Sequence, residues 1–201
     1  TNEENIKCFN NQFIIGKSDK KSDIFDVLVF ARKNLDVASI PSYVKRIAPC
    51  AFKQCSFLEK VEFTEDSELC LIDACSLEYS AIKSISVPKK TVCINYNAFY
   101  ECNKLQKVDF HPNSELVSIK NRAFACTAIQ QIKIPSSTVQ IGNLAFINCD
   151  KLEKVEFSEN CELTIIGSKA FFGCPLHSIE FPSRLTEICF KAFNEIKTLE
   201  T

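Results

Sequence analysis

The stretch that decides the fold is IPSYVKRIAPCAFKQCSFLEKVEF at residues 40–63, which returns at residues 134–157 as IPSSTVQIGNLAFINCDKLEKVEF. Between these two stretches the same residue types recur once more, so that the period of the pattern is 47 residues. A fixed period kept by several independent columns is the signature of a repeat architecture. The columns are Pro41, Pro88, Pro135 and Pro182; Ile47, Ile94, Ile141 and Ile188; and Phe52, Phe99, Phe146 and Phe193.

Each 47-residue unit is itself made of two similar halves. Five residues separate Phe52 from the next aliphatic residue, Leu58, whereas four separate Phe124 from Ile129. The elementary repeats are therefore about 24 and 23 residues long, within the range of leucine-rich repeats.

The end of each repeat alternates between apolar and polar residues, as a strand with one buried face does. A proline then closes alternate strands, because it has no N–H to donate to the ladder. Stacking these units would bury a continuous core of Phe, Ile and Leu. We expect strands near residues 59–63, 83–87, 106–110, 130–134, 153–157 and 177–181, and a weaker strand near residues 36–40.

The two ends of the sequence differ from the repeats between them. Residues 1–34 fit the period poorly and are predicted to form an N-terminal cap, and residues 35–201 are predicted to form the repeat array. The array stops partway through a repeat after Leu199, which indicates a longer parent array. An end that exposes core also makes dimerisation through that end an expectation.

Composition excludes some functions and leaves location open. The net charge of -1 gives no electrostatic footprint for nucleic acid or an anionic membrane. No stretch approaches the roughly 18 apolar residues of a membrane span, so no direct membrane insertion is expected of this part of the chain. Since the sequence contains no Met, we expect a processed form or a piece of a longer chain.

The repeat unit resembles the BspA-type leucine-rich repeats, which occur on surface proteins of anaerobic bacteria and mucosal protozoan parasites. The resemblance rests on the A-F-x-x-C-x-x-L motif within residues 40–63 and 134–157 and covers roughly residues 35–199. It implies a right-handed repeat solenoid with a parallel β-sheet on one face and loops and short turns on the other. It also implies adhesion to host cells or matrix proteins, and therefore a cell-surface or extracellular location. One departure is Cys75-Ser76-Leu77, which stands where x-Ala-Phe is expected.

The 12 cysteines raise the question of disulfides. Cys55, Cys102, Cys149 and Cys174 share one register, and Cys126 lies one residue earlier in its repeat. Free cysteine is among the most buried residue types, so the pattern favours packed thiols. A disulfide between stacked neighbours such as Cys149 and Cys174 is the alternative, since adjacent strands lie about as far apart as the Cα atoms of a disulfide.

Catalytic and metal-binding chemistry finds no support in the sequence. There is no C-x2-C or H-x3-H pair, and His111 and His177 lie in different repeats at different registers. No nucleophile or phosphate-binding motif is present. We therefore expect no enzyme activity, no metal and no cofactor.

The polar side of the predicted strands is the remaining candidate for a site. The first column of exposed positions alternates lysines with Ser84 and Gln131, and the second is largely acidic, with Ser86 among its members. The functional interpretation is a polar ligand-binding surface, and the alternative is charge that keeps the protein soluble. The candidate ligand face comprises Lys60, Glu62, Lys107, Asp109, Gln131, Lys133, Lys154, Glu156, Ser178 and Glu180.

Two functions remain after these arguments. The first is a non-enzymatic protein-interaction module, displayed on the surface as an adhesin-like protein whose partner is a protein of the host cell or matrix. The second is a cytoplasmic scaffold or structural spacer. Unpaired cysteines and the absence of an N-x-[ST] sequon weigh slightly towards the second.

Overall fold

The computed structural model describes residues 5–196, which wind into a β-solenoid of about seven turns and contain no helix. Each full turn contributes one strand to each of two walls. The strands are β1 (Ile6–Phe9), β2 (Phe13–Gly16), β3 (Val27–Ala31), β4 (Val37–Ser39), β5 (Arg46–Ile47), β6 (Lys60–Glu62), β7 (Leu71–Ile72), β8 (Ser84–Val87), β9 (Cys93–Ile94), β10 (Lys107–Phe110), β11 (Ser118–Ile119), β12 (Gln131–Ile134), β13 (Gln140–Ile141), β14 (Lys154–Phe157), β15 (Ile165–Ile166) and β16 (Glu187–Ile188).

The strands predicted from the alternating pattern form one parallel sheet, in the order β4-β6-β8-β10-β12-β14. We call it the long-strand sheet. Its register joins equivalent positions of successive repeats, such as Lys60 with Ser84 and Gln131 with Lys154. The weaker strand expected near residues 36–40 is present as β4.

The strand expected near residues 177–181 is the exception. It is reduced to a single parallel bridge between Lys154 and Ser178. Within residues 5–196 no further strand pairs with its outer side, so the backbone there is held from one side only. The prediction of a full strand at this position was wrong.

Loops and short turns were expected on the opposite wall. The structure shows that this wall also contains a sheet. It contains the strands β5, β7, β9, β11, β13, β15 and β16, each two residues long and parallel to its neighbours. We call it the short-strand sheet. The second residue of each strand is the recurring Ile, whose side chain points into the core in all but the last strand.

The core between the two walls is built around a column of stacked aromatic rings. Phe99, Phe124, Phe146, Phe171 and Phe193 follow one another with centroids 5.0, 5.4, 5.1 and 5.3 Å apart and nearly parallel planes. Offset stacking of this kind stabilises a core beyond the burial of the rings.

The column is interrupted where the sequence departs from the motif. Leu77 takes the place of a ring between Phe52 and Phe99, and it is fully buried. Beside it, the hydroxyl of Ser76 is buried without a hydrogen-bond partner. This turn therefore lacks both the ring and the apolar neighbour that the motif places in the other turns.

The first three strands are antiparallel to one another, and β3 then pairs in parallel with β5. Phe13 on β2 is buried and packs edge-on against Phe52, with ring centroids 6.2 Å apart. This contact supports the assignment of residues 1–34 as a cap, which remains a prediction together with the boundary at residue 35. Leu199 lies outside the described residues.

Tight corners between the walls rely on residues other than glycine. Arg122, Cys126 and Leu144 adopt φ angles of 56°, 57° and 61°, in the left-handed region. Gly173, at φ 72°, occupies the same place in its repeat as Cys126. Cys126 therefore belongs to a corner, which explains why it stands outside the register of the other cysteines.

Candidate functional site

The ten residues predicted for the ligand face all have exposed side chains. Eight of them lie on β6, β10, β12 and β14, where each exposed residue alternates with a buried one such as Val61 or Ile132. Ser178 and Glu180 lie beside the sheet at the terminal bridge. We call this surface of ten residues the charged face.

The charges of this face pair within a strand. The Lys60 ammonium lies 2.8 Å from the Glu62 carboxylate, and Lys107 lies 2.8 Å from Asp109. Lys154 and Glu156 make the third pair of the same kind. Because these side chains are about half exposed, water screens each pair and its contribution to stability is small.

Two of the lysines lower the pKa of the carboxylate beside them. The hydrogen bond and the attraction from Lys60 lower the pKa of Glu62 below its usual value. The same contacts from Lys154, with a further attraction from Lys133, lower the pKa of Glu156. The charged face therefore presents a column with three lysines beside a column that is acidic except at Lys133.

Three shallow depressions lie along this face. The first, of about 640 Å³, is lined around β14 and residues 178–183, and the second, of about 610 Å³, around β10 and β12. The third, of about 360 Å³, is lined by residues of β4, β6 and β8. Their size is in the range of pockets that hold small ligands or a few side chains.

Aromatic side chains border these depressions, and the sequence reasoning missed them by treating the face as poor in aromatics. Phe63, Phe110 and Phe157 are half-buried at the ends of their strands, and Phe181 is exposed at the edge of the first depression. The signal was present, since Phe63, Phe110 and Phe157 recur every 47 residues.

The two histidines take no part in a common site. His111 borders the second depression, and its Nδ1 accepts a hydrogen bond from the Asn113 N–H at 3.0 Å. His177 is exposed before the terminal bridge. Within residues 5–196, no group of three or more His, Cys, Asp or Glu side chains is arranged to hold a metal ion.

The cysteine register predicted to be packed in the core is confirmed. Cys55, Cys102, Cys149 and Cys174 are buried, and all 12 cysteines are free thiols, so the disulfide alternative is not formed. The same column continues through Ser80 and Thr127, which the cysteine pattern alone did not reveal.

The column has a structural function. The thiols of Cys102, Cys149 and Cys174 donate to the carbonyls of Leu77, Phe124 and Phe146 in the preceding turn. Burial raises the pKa of Cys102 to about 12, and the hydrogen bond with Cys149 together with burial raises that of Cys174. Cys102 and Cys174 are therefore protonated donors that link adjacent turns, since a reactive cysteine needs its thiolate.

A second polar cluster links three turns on the opposite wall. Burial opposes ionisation of Asp73, but the Ala74 N–H, the Arg46 guanidinium and the Asn95 amide together lower its pKa. The Arg46 Nε and the Asn95 Nδ2 donate to its carboxylate at 2.8 and 2.7 Å. Because all of its donors come from the protein itself, we assign this cluster to stability.

The stacked turns with two parallel sheets define a β-solenoid of the leucine-rich-repeat class. The model of the BspA type leucine-rich repeat region matches the chain over residues 24–115 and 71–200, in six copies. The chain therefore belongs to the BspA-type leucine-rich-repeat family, as the motif predicted. No curated protein shows a significant match to it.

Solved structures of other repeat proteins share the fold. A leucine-rich repeat protein from Eubacterium ventriosum superposes with a TM-score of 0.80 at 20% identity, over 97% of this chain and 50% of its own. The pneumococcal vaccine antigen PcpA gives a TM-score of 0.56 at 20% identity, over 92% of this chain and 51% of its own. The T. pallidum leucine-rich repeat protein gives a TM-score of 0.50 at 20% identity, over 90% of this chain and 80% of its own.

These likenesses establish the fold and no more, because the identities are low. The chain spans about half the length of the first two of these structures. Membership of the leucine-rich-repeat family suggests a protein-interaction module. The part of the chain that the structure describes contains no helix long and apolar enough to cross a membrane.

Proposed function

We propose that this chain is an adhesin-like module, displayed outside the cell, that binds a protein of the host surface or matrix through the charged face. The observation that carries the proposal is the periodic, exposed set of Lys–carboxylate pairs above a fully packed core. A solenoid offers such a surface over many turns, so a protein ligand can contact several equivalent pairs at once.

Two further considerations support display outside the cell. Display on a surface is what the resemblance to BspA-type repeats implies, and the pneumococcal neighbour in fold is named as a vaccine antigen. The thiols of the core column, such as Cys102, are buried, so packing protects them in an oxidising environment. Cys8 and Cys50 are exposed free thiols, and they weigh towards a location inside the cell.

A competing function is an internal scaffold or spacer without an external ligand. A scaffold would have the same repeat fold, and its charged face would only keep the protein soluble. Location separates the two proposals. Antibody staining of intact and permeabilised source cells tests it, and staining that requires permeabilisation would leave the scaffold as the function.

Binding is tested on the purified chain. Surface plasmon resonance over immobilised fibronectin, laminin and collagen should give saturable binding to at least one of them. Reversing Lys107 and Lys154 to Glu should weaken that binding, whereas reversing Lys45 and Lys120 beside the short-strand sheet should not. Binding that survives the first pair of substitutions unchanged would move the site away from the charged face.

A further inference from the structure

The charged face repeats every second strand of the long-strand sheet. β6, β10 and β14 each carry a Lys and then a carboxylate two residues later, and a half-buried Phe follows each carboxylate. The intervening strands β8 and β12 carry no such pair, and each ends in a buried aliphatic residue followed by proline. A ligand that lies along the solenoid therefore meets the same chemistry at every second strand.

The spacing of this pattern follows from sheet geometry. Neighbouring strands lie about 4.8 Å apart, so equivalent positions on every second strand lie about 9.6 Å apart. The three pairs on β6, β10 and β14 thus form a row of three equally spaced sites, with a span of about 19 Å from the first to the last.

Among the regular polypeptide conformations, polyproline II presents side chains on one side at the interval nearest to this spacing. A polyproline II helix has three residues per turn and rises about 3.1 Å per residue, so every third side chain faces the same way at about 9.3 Å intervals. In a β-strand, side chains three apart point to opposite sides, and those on one side are about 6.6 Å apart. In an α-helix the nearest matching interval is seven residues, at about 10.5 Å.

The mismatch accumulates along the row. Over the two intervals from β6 to β14, a polyproline II chain departs from the row by about 0.6 Å, whereas an α-helix departs by about 1.8 Å. A flexible lysine side chain can absorb the small departure of the polyproline II chain. The departure of the α-helix displaces an ion pair by more than half of a hydrogen-bond length.

The chemistry of each repeat specifies the rest of the ligand. Each site presents one lysine and one carboxylate, so its complement carries one acidic and one basic residue per turn. Phe63, Phe110 and Phe157 pack against the core and are also among the residues that line the depressions beside these pairs. Aromatic-lined grooves are the surfaces on which proline-rich chains dock.

We propose that the charged face binds a proline-rich polypeptide segment in the polyproline II conformation, with one proline, one basic and one acidic residue in every three. The inference rests on the proposed function, because it takes the charged face as the ligand site. It adds the conformation and the sequence period of the ligand.

The test compares two synthetic 18-residue peptides of the same composition, which is about six turns of polyproline II. One consists of six Pro-Lys-Glu triplets, and the other has the same residues in an order without a three-residue period. Fluorescence anisotropy with labelled peptides should show at least tenfold tighter binding of the periodic peptide. A nine-residue version still reaches all three sites, and a six-residue version should bind clearly less tightly.

Substitutions locate the binding. Lys107→Glu, at the middle site, should weaken binding of the periodic peptide about tenfold, and Phe110→Ala should also weaken it. Lys45→Glu, beside the short-strand sheet, is the matched charge reversal and should leave the affinity unchanged. Circular dichroism confirms that each variant is folded before its affinity is compared.

The outcomes separate this inference from the proposed function. Equal affinity for the periodic and the aperiodic peptide, or no binding of either, overturns the inference. If a matrix protein still loses affinity on Lys107→Glu in that case, the charged face remains the ligand site and only the polyproline II ligand is excluded. If neither the peptides nor any matrix protein respond to Lys107→Glu, both proposals fail.

Discussion

Phe124 lies in the middle of the aromatic column, and its removal tests how the solenoid is held together. The ring is fully buried and stacks on Phe99 and Phe146 at centroid distances of 5.0 and 5.4 Å. Truncating a buried Phe to Ala costs about 3–5 kcal/mol. Two stacked contacts at about 0.5–1.5 kcal/mol each account for roughly 1–3 kcal/mol of that loss.

The effect should reach further than the substituted turn. In a solenoid, each repeat is stabilised mainly by its neighbours, so a weak interface separates the array into two parts. For Phe124→Ala, we expect urea unfolding followed by far-UV circular dichroism to shift to lower urea. We also expect it to broaden or divide into two transitions.

Two variants serve as controls for this experiment. Phe57→Ala removes a ring of the same size that is 65% exposed, and should change stability by less than about 0.5 kcal/mol. Leu77→Phe extends the column at its natural gap and should raise stability if the turn can accommodate the ring. A Phe124→Ala protein that unfolds like Phe57→Ala would refute the account of the core.

Three further predictions follow from the polar clusters, the corners and the thiols. Asp73→Asn should lower stability at neutral pH by roughly 2 kcal/mol, since hydrogen bonds to a charged group are lost. Because the pKa of Asp73 is lowered in the folded state, its contribution to stability is present above the unfolded pKa and is lost as the pH falls through the folded pKa. In urea titrations from pH 7 to pH 2, the stability of the variant should therefore fall less steeply with acid than that of the wild type. Arg122→Gly should stabilise the protein by about 0.5–1 kcal/mol in thermal melts, because Arg122 holds a positive φ that glycine adopts without strain, whereas Arg122→Ala should give no gain. In a native thiol-labelling experiment read by peptide mapping, exposed Cys8 and Cys50 should react first, and Cys102 should react only after denaturation.

Each of these has a clear contrary result. An acid limb unchanged by Asp73→Asn would show that the carboxylate is not held ionised by its donors. A melting temperature lowered by Arg122→Gly would mean that the long side chain contributes more than the strain costs. Labelling of Cys102 in the native protein at the rate of Cys50 would contradict the buried column.

The long-strand sheet was predictable because its strands show the two-residue alternation that a half-buried sheet imposes. The short-strand sheet was not, since a pair such as Arg46-Ile47 is too short to show any alternation. The recurring Ile could be assigned to the opposite wall, but the backbone pairing there follows from the stacking of whole turns. The single bridge at Ser178 could not be predicted either, because its sequence matches that of the paired strands.

The candidate site divides in the same way. Exposure of Lys107 and Asp109 followed from their positions on the strand, but their pairing within one strand required the structure. The position of Phe110 beside a depression also required it, since a residue at the end of a strand can face either the core or the rim. Ser80 and Thr127 could not be predicted from the cysteine register, because other small hydrogen-bonding side chains also occupy this column.

The central claim is that the charged face is where this protein binds its ligand. It is tested most directly by the affinity of the purified chain for the matrix protein that it binds, compared between the Lys107→Glu/Lys154→Glu variant and the Lys45→Glu/Lys120→Glu variant. We expect the affinity of the first variant to fall at least tenfold and that of the second variant to stay unchanged. We also expect the affinity of the wild-type protein to fall as salt is added. Equal affinities for the two variants would contradict the central claim.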